Sequence, residues 1–187
     1  TRRALDEFTA KRTAPHLLPD RELFAGLAAA RLGIAHLLNA DPGEIALATN
    51  TGFGLHLAAR ALPLNPGDVV LLSDKEFPAN VYPWLLLKKE GITVEVARCG
   101  PEGWPDEEYL LERLRDPRVR VLAVSFVQFS NGYRADLKKL GAAARANGTY
   151  LVVDGIQGVG NSVLDVQETP VDILAGAGYT VAASSGK

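Results

Sequence analysis

The sequence predicts a three-layer αβα protein built on a mostly parallel β-sheet. Two observations lead there. From residue 44 onward, short strand-like runs alternate with helical patterns, the rhythm of a sheet covered by helices on both faces. Several of those runs, among them VVLL at 69–72, VRVLAVSFV at 119–127 and YLVV at 150–153, are almost continuously apolar, as strands are when neither face meets water.

The elements follow in order. Residues 2–12 carry a helical pattern. A second helix is predicted from Asp20, as N-cap, to about Asn39, because Leu23, Leu27, Ala30, Ile34, Leu37 and Leu38 recur on one stripe before ADPGE breaks it. EIALAT (44–49) predicts a short strand and TGFGLHLAARAL (51–62) a helix. LNPGD (64–68) is a turn sequence ahead of strand 69–72, since Pro and Gly supply turn geometry at little steric cost. PANVYPWLLLKKEG (78–91) predicts one helix stopped by Gly91, and ITVEVA (92–97) a strand with period-two alternation. PDEEYLLERLRD (105–116) is an amphipathic helix with acids in its first turn, where the helix dipole favours them. Strand 119–127, a helix at 136–148 running from Asp136 to Gly148, strand 150–153 and strand 171–177 complete the series. No repeat, low-complexity segment or linker divides the chain. Residues 1–187 are therefore expected to form one domain, with helices at 1–40 and an α/β core at 41–187.

With 187 residues and 47% hydrophobic content, the chain can bury a sizeable core. Its 20 Lys and Arg are scattered and offset by 22 Asp and Glu, which argues against nucleic acid or an anionic membrane surface as partner. No apolar run approaches the ~18 residues of a membrane span. The single cysteine, Cys99, permits no internal disulfide and fits a reducing, cytoplasmic compartment. Cys99 itself reads as a small side chain packed at a strand end. His16, His36 and His56 lack metal-ligand spacing, so no metal site is expected. Arg134 reads as an ion-pair or capping residue, and Trp84 and Trp104 as packing residues.

Ligands of such sheets bind beyond the carboxyl ends of the strands, which directs attention to residues 49–52, 74–80, 125–132, 154–157 and 177–180. Thr51 and Gly52 open a helix whose free N–H groups and dipole favour an anion. A threonine hydroxyl there suits a phosphate, although Thr-Gly is also ordinary helix punctuation. TNTGFG is neither a Walker loop nor a complete G-x-G-x-x-G, because Leu55 to Leu57 offers no third glycine. Phe77, just before a proline-initiated helix, either stacks on a flat ligand or packs in the core. Asp154 ends a buried strand, and a carboxylate there is costly unless paired. It either closes a backbone turn or faces a cationic ligand atom, to which Gln157 could also offer its amide.

In order and spacing, NTGFGLHLAARAL, EFPANVYPW, SFVQFSNGYRADL and LVVDGIQGVG followed by VDILAGAGY resemble the class V aminotransferase group of fold-type I pyridoxal-phosphate enzymes. That group includes cysteine desulfurases, kynureninase-like enzymes and isopenicillin-N-epimerase-like proteins. The resemblance covers nearly the whole chain as the group's large domain, with the C-terminal small domain absent. It implies pyridoxal 5'-phosphate as cofactor, a small amino-acid substrate handled through an aldimine, and a homodimer where the complete fold is present. By position, it implies that Thr51 and Gly52 hold the cofactor phosphate and that Phe77 stacks on the ring where desulfurases carry His. Asp154 would pair with the pyridine nitrogen, Gln157 would lie near the ring hydroxyl, and Gln128 would flank the ring. EFPANVYPW and VQFSNGYR favour the isopenicillin-N-epimerase-like branch.

One position departs from the pattern. The lysine that anchors the cofactor falls on Thr180, with Tyr179 where the group has His. Threonine cannot form an imine, so no catalytic residue is assigned and turnover by this chain is expected to be impaired. Lys187, the only lysine after Lys139, lies seven residues further on. The alternative reading is a non-catalytic fold fragment or interaction module whose site is unused. A doubly wound nucleotide-binding domain would need the missing glycine fingerprint and an acid at the end of the second strand.

Overall fold

The structure is a computed structural model that describes residues 2–176 and 179–182. Its elements are α1 (Arg2–Arg12), α2 (Asp20–Leu38), β1 (Ile45–Leu47), α3 (Thr51–Ala61), β2 (Val69–Ser73), α4 (Tyr82–Leu86), β3 (Thr93–Ala97), α5 (Glu107–Arg113), β4 (Val119–Ser125), α6 (Leu137–Asn147), β5 (Tyr150–Asp154), β6 (Ile173–Gly176) and β7 (Tyr179–Ala182). Seven strands form one sheet in the order β1-β7-β6-β5-β4-β2-β3. The five from β3 to β6 run parallel, and β7 lies antiparallel between β6 and β1.

Three layers follow from strand alternation. Leu71, Leu122, Val124, Leu151, Val153 and Leu174 point to one face and pack with Leu38, Leu110, Leu114, Leu140 and Ala144 from α2, α5, α6 and their ends. Val70, Leu72, Val121, Ala123, Val152 and Ala175 point to the other and pack with Leu55, Ala58, Ala59, Trp84 and Leu87 beside α3 and α4. Burial on both faces is why the central strands read as continuous apolar runs.

Four expectations need correction. The predicted helix at 78–91 is three short pieces: a 3₁₀ turn at Pro78–Asn80, α4, and a 3₁₀ turn at Leu87–Glu90 closed by Gly91 at φ 83°. Pro78 and Pro83 each lack the N–H that an interior helical position needs, and each is accommodated in the first turn of its own piece. Pro19, not Asp20, is the N-cap of α2, and Asp20 lies in its first turn. The α2 stripe is largely uncovered. Only Ala35 and Leu38 are buried, whereas Leu23, Leu27 and Leu37 stay 40–54% exposed, because only the end of the helix reaches the sheet. The predicted strands end with 171–177, yet a further strand, β7, completes the sheet by pairing on both sides. Of the strand expected at 171–177, residues 173–176 form β6, and Ala177 lies outside the described residues, as does Lys187. Among the described residues, no helix is long and apolar enough to cross a membrane.

Candidate functional site

Beyond the carboxyl ends of β4 and β5, a cavity of about 350 Å³ is lined by Asn50, Thr51, Gly52, Phe77, Ala79, Ser125, Val127, Phe129, Asp154, Ile156 and Gln157. Five of the six residues singled out for a ligand therefore meet in one space: Thr51, Gly52, Phe77, Asp154 and Gln157. The sixth, Gln128, is placed differently. Its neighbours Val127 and Phe129 line the cavity, and alternation turns Gln128 the other way. Its buried amide donates to the Asp74 carbonyl at 2.9 Å and its Oε1 accepts from Asn131 at 3.0 Å.

The Thr51 corner owes its character to Asn50. The Asn50 side chain is the N-cap of α3, accepting from the Phe53 N–H at 2.8 Å. With that capping role filled, the Thr51 hydroxyl is left over. Thr51 is 6% exposed, and its Oγ1 is the single buried side-chain polar atom without a hydrogen-bond partner among the described residues. Such an atom costs about 1–3 kcal/mol unless something outside the chain satisfies it. Thr51 and Gly52 are the first two residues of the helix, where N–H groups have no intrahelical acceptor.

Asp154 is fixed from both sides. Its carbonyl accepts from the Phe126 N–H at 2.8 Å, and the Gly155 N–H reaches the Ala175 carbonyl at 2.7 Å. The carboxylate is 2% exposed. One oxygen closes the following turn by accepting from the Ile156 N–H at 3.1 Å. That single bond does not offset the loss of hydration, and burial holds the carboxyl above its ordinary pKa. Among the described residues, Asp154 is the only ionisable side chain in the cavity lining. Gly158 lets the turn pass close beneath Phe126: a Cβ there would sit 2.2 Å from the Phe126 ring.

Aromatic edges form another part of the wall. Phe77 and Phe129 meet edge to face, with centroids 5.1 Å apart and planes at 86°. Phe77 is 45% exposed and is not a core residue, leaving its ring surface open to a ligand.

The structure adds residues that the sequence reading passed over. Glu76, buried within the strand-end stretch 74–80, accepts from the Ser125 N–H at 3.0 Å, from Asn80 Nδ2 at 3.0 Å and from the Ser125 hydroxyl. Burial raises its pKa, partly opposed by these hydrogen bonds and one from Gln128. Ser125 was hidden inside an apolar strand pattern. Its place at the head of the strand-end stretch 125–132 was the available signal.

Other candidates stand elsewhere. Thr180 is a β7 residue whose backbone is in register between Ala46 and Ala175. Cys99 is partly buried with its thiol pKa pushed up by burial, against a reactive thiolate. Trp84 is fully buried in the core, Trp104 lies 5.8 Å from the Tyr133 ring, and Arg134 is exposed.

A parallel-centred sheet between helical layers, with a cavity at its strand ends joining a helix N-terminus to a lone buried acid, defines an α/β protein of the fold seen in known cysteine desulfurases. The crystal structure of cysteine desulfurase CsdA from Escherichia coli superposes with a TM-score of 0.78 at 31% identity, covering 86% of this chain and 43% of that one. The cystine C-S lyase C-DES shares the fold with a TM-score of 0.82 at 22% identity over 97% of this chain and 54% of its own. The sequence profile described as Aminotransferase class-V matches residues 11–186, and the chain belongs to that family. Similar curated proteins include a probable cysteine desulfurase of Xylella fastidiosa strain 9a5c, 34% identical over 84% of this chain and 39% of its own length. Another is isopenicillin N epimerase of Amycolatopsis lactamdurans, 34% identical over 85% of this chain and 42% of its own length. The chain thus spans about two fifths of the relatives it matches.

Proposed function

We propose that this chain binds pyridoxal 5'-phosphate in the cavity beyond β4 and β5 and is built for chemistry on an amino-acid substrate. The supporting observation is the pairing, in one cavity, of an orphaned hydroxyl at a helix N-terminus with an underbonded carboxylate. A volume of about 350 Å³ lies within the ~300–1,000 Å³ range of small-ligand and cofactor sites. Thr51 and Gly52 would hold the phosphate, with the Thr51 hydroxyl gaining the partner it lacks. Asp154 would accept a proton-bearing ring nitrogen, and that cation would pull its carboxyl pKa down from its raised value. Phe77 would cover the ring face, Gln157 would lie near the ring hydroxyl, and Gln128 would brace the flanking segment from behind. When bound, the cofactor supplies an electron sink for a carbanion.

Thr180 has no amine, so binding by this chain is expected to be non-covalent and turnover impaired. Phe77, in place of a desulfurase histidine, supports the isopenicillin-N-epimerase-like branch. The exposed apolar side chains on α1 and α2, including Phe8, Phe24, Leu27 and Leu37, support a second reading, an interaction module that pairs with another copy of the chain.

The test is a visible-absorbance titration with pyridoxal phosphate, followed by borohydride reduction and dialysis. A saturable spectral change that dialyses away is the expected result, and Thr180→Lys is expected to retain the label. No spectral change at saturating cofactor would defeat the proposal, and a pyridoxyl group retained on Lys187 would defeat the non-covalent reading.

A further inference from the structure

Among the described residues, Glu76 is the one buried acid outside the cavity lining that touches a lining residue's side chain. It does so at Ser125, the residue paired in register with Asp154 on the adjacent strand. Ser125 and Asp154 both line the cavity. Strands in a sheet lie about 4.8 Å apart, so a serine hydroxyl at this position is within rotation of the neighbouring carboxylate. It is nevertheless engaged elsewhere. Glu76 Oε1 accepts from the Ser125 N–H at 3.0 Å, while Oε2 accepts from Asn80 Nδ2 at 3.0 Å and from the Ser125 hydroxyl. Three donors converging on one carboxyl suit its ionised, acceptor-only form. A hydroxyl has one proton to give, and Asp154 is left with the Ile156 N–H alone.

We infer that Glu76 is a positioning residue that draws the Ser125 hydroxyl proton away from Asp154 and so keeps Asp154 underbonded for a cationic ligand atom. The inference rests on the proposed cofactor reading for its purpose, but not for its geometry. Asn80 extends the same device: it ends the turn that begins at Phe77, so one carboxyl ties the aromatic wall to the end of β4. With Gln at position 76, an amide N–H could donate to Ser125 Oγ, and the Ser125 proton would turn to Asp154. Asp154 would then be a weaker acceptor for a ring nitrogen.

The experiment follows the Asp154 carboxyl by carbon NMR across a pH titration of the unliganded chain, with the resonance assigned from Asp154→Asn. Ser125→Ala should leave the Asp154 midpoint unchanged, because the hydroxyl does not serve it. Glu76→Gln should lower the midpoint by about one pH unit, the scale of one hydrogen bond to a charged group. Combining Glu76→Gln with Ser125→Ala should restore it. A midpoint that rises in Ser125→Ala would show that the hydroxyl already bonds Asp154 and would overturn the inference. So would a Glu76→Gln midpoint that does not move. Ser125→Ala removes only an oxygen and keeps the test available if Glu76→Gln fails to fold. Neither titration contains pyridoxal phosphate, so a failure of cofactor binding would sink the proposed function alone, and an unresponsive Asp154 would sink this inference alone.

Discussion

Replacing Thr51 with valine separates a binding role from a structural one, because the two roles predict opposite signs. Valine keeps the branched shape and removes only the hydroxyl, whose oxygen is buried and unpartnered. A buried hydroxyl without a partner costs about 1–3 kcal/mol, and replacing it by an apolar group of the same shape recovers part of that. Taking ~1 kcal/mol as the gain, the unliganded variant should melt about 2–4 °C higher, the usual scale for a chain of this size. Binding should move the other way. A hydrogen bond to a charged phosphate is worth ~1.5–3 kcal/mol, so affinity for pyridoxal phosphate should fall roughly 10- to 150-fold. Thermal unfolding gives the first quantity and a fluorescence titration the second. Pyridoxal, which lacks the phosphate, serves as control and should bind both proteins alike. A variant that melts lower while binding pyridoxal phosphate as tightly as the parent would refute the assignment of Thr51 to the phosphate.

Further outcomes follow from the same geometry. Burial raises the Asp154 and Glu76 pKa values, so the folded chain holds protons that the unfolded chain releases. Their contribution to stability is therefore full below the unfolded values and lost as pH rises through the folded ones. Urea midpoints of the unliganded chain should show this fall, and Asp154→Asn should flatten it. Phe77→Ala should leave stability nearly unchanged, given the ring's exposure, but weaken cofactor binding by about 3- to 10-fold in the same titration, the scale of one aromatic contact. Gly158→Ala should destabilise by ~1–3 kcal/mol through overpacking against Phe126, measured by chemical denaturation.

The buried strands and most helices were legible because periodicity and continuous apolar runs are local signals, and so was Asp154, a charge where a buried run ends. What stayed hidden depends on distant partners. Strand β7 pairs with β6 and β1 on its two sides, and although Tyr179, Thr180 and Val181 favour strands, four residues are too short a run to show period-two alternation against those distant partners. The bare stripe on α2 follows from where the helix lies, which no spacing rule contains. Glu76 lies in the strand-end stretch 74–80, but a charge between Lys75 and Phe77 has no local sign of burial, and only folding brings Ser125 against it. Gln128 was placed on the right segment, but whether it turned into the cavity or behind it depended on the alternation beyond β4.

The place of β7 also bears on the order of assembly. Among the described residues, β1 is an edge strand whose sole neighbour in the sheet is β7, and it leads through three residues into the helix that carries Thr51. The pairing of Ile45 with Val181 closes a loop of most of the chain, the kind of non-local contact that forms slowly. During synthesis, the parallel strands can dock in succession while β1 waits for its mate. The phosphate corner of the cavity should therefore be among the last parts to become rigid, and ligand-binding competence in a refolding experiment should lag behind recovery of the central sheet.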